Sequence, residues 1–308
     1  MDSPNSSSTK LDVYQIVTDK IISLLEQGVV PWQKPWADAG IPMNLMSKRP
    51  YRGINLWMLV SLNYEKNLFL TWDQIKAVGG SVLKGEQGHI VVFWKPIQKK
   101  QDTDTGDKQK QVPMLRYYKV FNVSQCRDIP PHLIPVQDAR QEFDAIAECE
   151  GIIQTMPDCP AIEHREPDAF YNIETDVINM PKKRSFKAKE LYYATLFHEL
   201  VHSTGAAKRL ARSSVTDMVP FGTTSYAMEE LIAEMGSAFL CRFTGILPPV
   251  ISNTVSYIDN WLGVFKKDKR FLITAAGQAQ KAVDMILGRK DNEAKDEVEE
   301  SEGESVVS

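Results

Sequence analysis

The chain has 308 residues, 43% hydrophobic and 25% charged, with a formal net charge of −4. These values are ordinary for a water-soluble globular protein, and the length suits two domains better than one core. No run of about 18 apolar residues occurs, so no membrane span is expected, and the mild acidity taken alone argues against a nucleic-acid partner.

Residues 1–10 are Ser-rich and polar. They read as disordered and lack the apolar centre of a secretory signal, so a cytoplasmic location is expected. From Leu11 to Gln27, Val13, Ile16, Val17, Ile21, Leu24 and Leu25 recur at helical spacing, and Gly28 ends the helix. Pro31-Trp32-Gln33-Lys34-Pro35-Trp36 reads as an extended aromatic loop. A second helix is expected from Ile54 to Leu62, and a third from the N-cap Thr71 to Val78, closed by Gly79-Gly80. His89–Trp94 and Leu115–Val123 are rich in β-branched and aromatic residues and read as strands. The polar segment Gln98–Gln111 between them reads as a long, mobile hairpin loop.

Three prolines in Ile129–Pro135 fix φ and block regular structure, so the domain boundary is placed there. This gives a front domain at 11–129, a linker at 130–135, a back domain at 136–290 and an acidic, disordered tail at 291–308. In the back domain, helices are expected over Gln137–Met156, Lys189–Thr204, Met228–Phe243, Val255–Phe265 and Phe271–Leu287. Phe170–Met180 alternates like a hairpin or edge strand. The four cysteines, Cys126, Cys149, Cys159 and Cys241, form no CxxC and read as reduced, buried thiols.

Leu191–Gly205 contains His198-Glu199-Leu200-Val201-His202, an HExxH motif. Residues four apart on a helix share a face, so two imidazoles can meet one ion. Glu199 is placed to take a proton from an ion-activated water. Downstream, Tyr226–Ser237 holds Glu229, Glu230 and Glu234. Glu230 is assigned as third ligand, Glu229 is its alternate, and Glu234, one turn after Glu230, is the expected outer acceptor for a ligating histidine. Small Ala233 and Ser237 let the two helices approach. Water in the fourth position makes the site catalytic in form. Zinc (Zn2+) is the default for two His and one Glu, with manganese, cobalt or nickel as alternatives. Tyr192, Tyr193, Tyr226, Lys208 and Arg209 are candidate oxyanion stabilisers.

The charge is unevenly spread. Residues 1–130 carry 17 Lys/Arg against 12 Asp/Glu, residues 131–290 carry 18 against 20, and residues 291–308 carry 1 against 8. The basic front also interleaves aromatics with cations, a pattern suited to stacking unpaired bases and following phosphates. The DNA-binding candidates are Trp32, Lys34, Trp36, Arg49, Tyr51, Arg52, Trp72, Lys84, Tyr117 and Lys119. The competing reading is an aromatic core under solvated lysines, with Trp57 and Trp94 its foremost members.

The order of motifs resembles the ArdC antirestriction proteins of conjugative plasmids. In the front these are Val13-Tyr14, Pro31-Trp32-x-x-Pro35-Trp36, Asn44, Tyr51-Arg52-Gly53-Ile54-Asn55, Leu70-Thr71-Trp72-x-Gln74 and Gly79–Glu86. In the back they are Tyr171 through Asp176, Ile178 and Met180-Pro181, then Tyr192–Gly205, Arg209-Leu210, Tyr226 through Glu234, and Tyr257-Ile258-x-x-Trp261-Leu262. The resemblance covers roughly residues 11–288. It implies an α+β protein of two domains, a small single-stranded-DNA-binding domain and a zincin-like metallopeptidase domain. It also implies protection of incoming plasmid DNA from host restriction, with a restriction-enzyme subunit or another protein as partner or substrate. Two alternatives stay open: a general zinc-dependent protease whose front domain captures protein, and a DNA-coating shield whose metal is not catalytic.

Overall fold

The computed structural model of the chain describes residues 12–33, 40–98, 111–135, 144–217, 223–246 and 254–289. The expected disordered start, residues 99–110 of the expected Gln98–Gln111 loop and the acidic tail lie outside these residues.

Helix α1, Val13–Glu26, opens where Asp12 accepts from the Tyr14 and Gln15 amides. Strand β1, Met43–Asn44, leads to α2, Gly53–Val60, and β2, Leu68–Thr71. Helix α3, Trp72–Ala77, is set by a capping box in which Thr71 and Gln74 satisfy each other's backbone amides. Strands β3, Ser81–Val82, β4, His89–Gln98, β5, Gln111–Asn122, and β6, Cys126–Arg127, complete the front half. The main sheet runs β1-β2-β5-β4, with β4 and β5 paired antiparallel from His89↔Val120 to Gln98↔Gln111. Asn55 of α2 covers the outer edge of β4, donating to the Val92 carbonyl and accepting from the Val92 amide, each at 2.7 Å.

The Pro-rich stretch holds only a 3₁₀ turn, Pro131–Leu133. Beyond it come α4, Ala145–Thr155, and strands β7, Ala161–Glu163, β8, Phe170–Asn172, and β9, Val177–Asn179. The expected hairpin is β8–β9, and β7 adds in parallel to β9. Helices α5, Lys189–Ser203, α6, Ser213–Thr216, α7, Thr224–Thr244, α8, Thr254–Lys267, and α9, Phe271–Ile286, finish the chain.

The two halves share one apolar core. Trp32 is completely buried, edge-on to Trp57 at 6.5 Å and to Trp261 of α8 at 5.3 Å. Arg52 pairs with Asp284 of α9, the Gly53 amide donates to Gln280 Oε1 at 3.1 Å, and Arg242 donates to the Gly40 carbonyl at 2.7 Å. Trp57 is a core residue as expected, but Trp94 is not: 45% of it is exposed. The four cysteines are free thiols, two buried and two half-buried. Among the described residues no helix is long and apolar enough to cross a membrane.

Candidate metal centre

Helix α5 buries Leu196, Phe197, Leu200 and Val201 and turns His198 and His202 toward α7. The two helices approach closely because their contact is built from small residues. A Cβ on Gly236 would stand 2.7 Å from Val201 Cγ2, Ala233 is fully buried, and Ser237 Oγ donates to the Ala194 carbonyl at 2.9 Å. This approach carries Glu230 over the two histidines.

The three donors converge. His198 Nε2 and His202 Nε2 are 3.0 Å apart, and each lies 3.6 Å from a Glu230 carboxylate oxygen. Two ligand atoms at about 2.0–2.1 Å from a tetrahedral ion stand roughly 3.3–3.4 Å apart. The observed spacings bracket that value, so the residues fit a divalent cation. Among the described residues this is the group of His, Cys, Asp and Glu side chains spaced to hold a metal.

Electrostatics favour a cation at the same point. Burial would lower the His198 pKa, but Glu230, Glu234 and Glu199 outweigh it and lift it to about 9. Burial would raise the Glu230 carboxyl, yet His198, His202 and the Tyr226 hydroxyl hold it below the ordinary range. Glu199 is 8% exposed and sits between the two histidines in sequence.

The outer layer differs from expectation. Glu229, the alternate ligand, faces the other ring nitrogen of His202, with Nδ1 3.2 Å from Oε1. It is gripped by Arg212, Nε to Oε2 at 2.9 Å, and by the Ser214 hydroxyl at 2.6 Å. Arg212 also donates to Thr204 Oγ1 at 2.6 Å and the Val201 carbonyl at 2.8 Å. Burial would raise the Glu229 carboxyl, but His202 and Arg212 bring it down to about 2. Glu229 therefore occupies the place at a candidate ligand's outer nitrogen that was expected for Glu234. Glu234 lies near His198 and Glu230, beside the Gln33 amide, and burial raises its pKa. Among the described residues the carboxylate hydrogen-bonded to the outer nitrogen of a histidine is Glu229 instead.

Arg212 escaped the sequence reading because it lies ten residues after the motif, on the extended residue just before the short helix α6. Its one signal is Gly205: a Cβ there would stand 2.4 Å from Val215 Cγ2 and 3.0 Å from Arg212 Nη2, so the glycine lets the segment that carries Arg212 pack against the end of α5. Of the candidate oxyanion stabilisers, Tyr226 reaches the site through Glu230. Tyr192 contacts His164, Tyr193 contacts Lys183 and Glu150, and Lys208 and Arg209 pair with Asp176.

The front candidates separate into groups. Trp32 is fully buried and Tyr51 is 6% exposed, edge-on to Phe69, so neither offers a ring face to a base, correcting the expectation for both. Arg52 is likewise committed to Asp284 rather than to a phosphate. Lys34 and Trp36 lie outside the described residues. Tyr117 is half-buried against the core. Arg49, Lys84 and Lys119 are exposed. Trp72 is 46% exposed, with Lys76 Nζ 5.4 Å over its ring and Phe121 at 5.9 Å.

Comparison with known proteins agrees with this architecture. Residues 11–121 match the N-terminal domain of the anti-restriction factor ArdC, and residues 150–278 match a zincin-like metallopeptidase family. The protein y4eC of Sinorhizobium fredii is 32% identical over 97% of this chain and 99% of its own. DNA primase TraC of Escherichia coli is 31% identical over 91% of this chain, which spans only 27% of TraC. The metal-free crystal structure of ArdC from plasmid R388 is 37% identical, with a TM-score of 0.71 over 90% of this chain and 97% of that one. Its Mn(II)-bound structure is 36% identical, with a TM-score of 0.71 over 92% and 99%. With that identity across both halves, the chain belongs to the ArdC antirestriction family.

Proposed function

We propose that this protein binds single-stranded DNA through its front half and uses a divalent metal at His198, His202 and Glu230 in a metallopeptidase-type centre. By this reading it works in the cytoplasm, shielding incoming plasmid DNA from restriction during conjugation. Its protein partner or substrate is a restriction-enzyme subunit or a related protein. The convergence of two imidazoles and a carboxylate beside Glu199 carries the proposal.

Two neutral imidazoles and a carboxylate suit zinc, and the R388 relative is known with manganese. Such an ion supplies Lewis acidity that makes water nucleophilic near neutral pH. Glu229 accepts the Nδ1 proton of His202 and so fixes the tautomer that presents Nε2 inward. Tyr226 steadies Glu230 from one turn before it. Glu199 is the base that takes the proton from attacking water and returns it to the leaving amine.

The shared core favours a second reading, in which the metal half braces a DNA-coating protein. The Glu199→Gln variant separates the two. With metal retained, catalytic antirestriction predicts that plasmid transfer into a restricting host falls to the level seen without the protein. Undiminished protection would leave the bracing role. A general protease with no DNA role would show no oligonucleotide binding by the full chain, even at low salt.

A further inference from the structure

Trp94 stands on β4 with nearly half of its surface open, and its indole is held from one side. The Tyr14 ring of α1 meets it edge-on, with centroids 6.2 Å apart and planes at 63°. Over Tyr14 lies the Arg270 guanidinium, its Cζ 5.2 Å from the ring centre. Arg270 belongs to Lys266-Lys267-Asp268-Lys269-Arg270, the end of α8 and the turn into α9 in the back half.

That basic turn is fastened to α1. The fully buried Thr18 donates its hydroxyl to the Lys269 carbonyl at 2.9 Å. Lys266 pairs with Glu26 at 2.8 Å, and Lys269 pairs with Asp12. Asp268 accepts from the Arg270 amide at 2.9 Å, which fixes the turn. Lys267 and Arg270 remain exposed, with no carboxylate partner among the described residues. An open hollow of about 300 Å³ lies between Gln15 and the turn. A braced aromatic face, a guanidinium stacked on the ring that braces it and an exposed lysine one turn away in the chain are the chemistry that takes an unpaired base and its phosphates.

We propose that Trp94, Tyr14, Lys267 and Arg270 form a contact for single-stranded DNA that joins the two halves of the chain. A base stacks on the open face of Trp94, and flanking phosphates are held by Lys267 and Arg270. Duplex DNA, whose bases are already stacked, gains nothing from the indole. This contact rests on the single-stranded-DNA reading above and extends it to the α8–α9 turn, where the sequence placed no DNA contact.

The test is anisotropy of a fluorescein-labelled oligothymidylate titrated with the full chain over a salt series. Trp94→Ala is expected to weaken binding roughly 10-fold at fixed salt, with the salt dependence unchanged. The double variant Lys267→Gln, Arg270→Gln is expected to flatten the slope of log affinity against log salt by about 1.4, or about 0.7 for each lost single-strand phosphate contact. The double variant changes only exposed side chains, so it decides the matter even if Trp94→Ala unfolds. If the wild type binds and both variants bind equally well, the α8–α9 contact is wrong and the front-half reading stands. If the wild type does not bind at low salt, both fall.

Discussion

Arg212 grips both oxygens of the Glu229 carboxylate, through Nε at 2.9 Å and through Nη2, while Glu229 faces Nδ1 of His202 at 3.2 Å. The pair ties a candidate metal ligand of α5, His202, to the segment after that helix. It is buried, with Arg212 6% and Glu229 5% exposed, so each charge depends on the other to remain inside the fold.

Removing one partner is therefore expected to be costly. Arg212→Ala leaves the buried Glu229 charge without its guanidinium partner, held only by His202 and Ser214, and should destabilise the protein by about 3 kcal/mol. Glu229→Gln keeps the shape and removes the orienting charge, so metal affinity should fall roughly 10- to 100-fold. Thermal unfolding and calorimetric titration with zinc check the two. Wild-type affinity in Glu229→Gln would mean that the carboxylate does not orient His202.

Glu199→Gln should bind metal as the wild type does, because Glu199 is outside the donor set. Hydrolysis of a fluorogenic casein probe should fall by about 10²–10⁴, the usual contribution of a general base. Equal turnover by wild type and variant would remove Glu199 from the chemistry.

Gly236→Ala places a methyl group 2.7 Å from Val201 on the helix that carries both histidines. Overpacking of this kind costs about 1–3 kcal/mol, and it should push α7 and Glu230 away from the ligating nitrogens. Weaker zinc binding together with a lowered melting temperature is the expected pattern. A variant as stable as the wild type would show that α5 and α7 tolerate separation.

Acid should loosen the back half through Asp176. Burial raises its carboxyl, but Arg209, Lys208 and Tyr171 hold it down to about 2, against an ordinary 3.8. A carboxylate with a depressed folded pKa stabilises the protein above its unfolded value, and that support is lost as pH falls from about 4 to about 2. Its size is about 1–2 kcal/mol after allowance for partial exposure. Asp176→Asn suits the positive φ of 52° at this position. The variant should be less stable than the wild type at pH 7 and equally stable near pH 2, as followed by urea unfolding.

The helical periods and the cap at Thr71 were legible in the sequence, because local hydrogen bonding and side-chain spacing decide them. The shared face of His198 and His202 was legible for the same reason, since a four-residue period forces both on to it. The contact of Glu229, rather than Glu234, with Nδ1 of His202 was not. It depends on Arg212, whose position is set by the turn at Gly205 and the packing of α6 against α7, relationships remote in sequence. Trp32 and Trp94 were misjudged for a related cause. An indole carries no local signal of burial, and here α8 covers Trp32 whereas Trp94 is left half open at Tyr14.

Metal content of the purified protein bears most directly on the centre itself. After loading with zinc and dialysis, elemental analysis should find about one ion per chain in the wild type and almost none in His202→Ala or Glu230→Ala. Oligonucleotide affinity should be the same in all three. A wild type that retains no ion, or variants that retain as much as it does, would contradict a metal held by His198, His202 and Glu230.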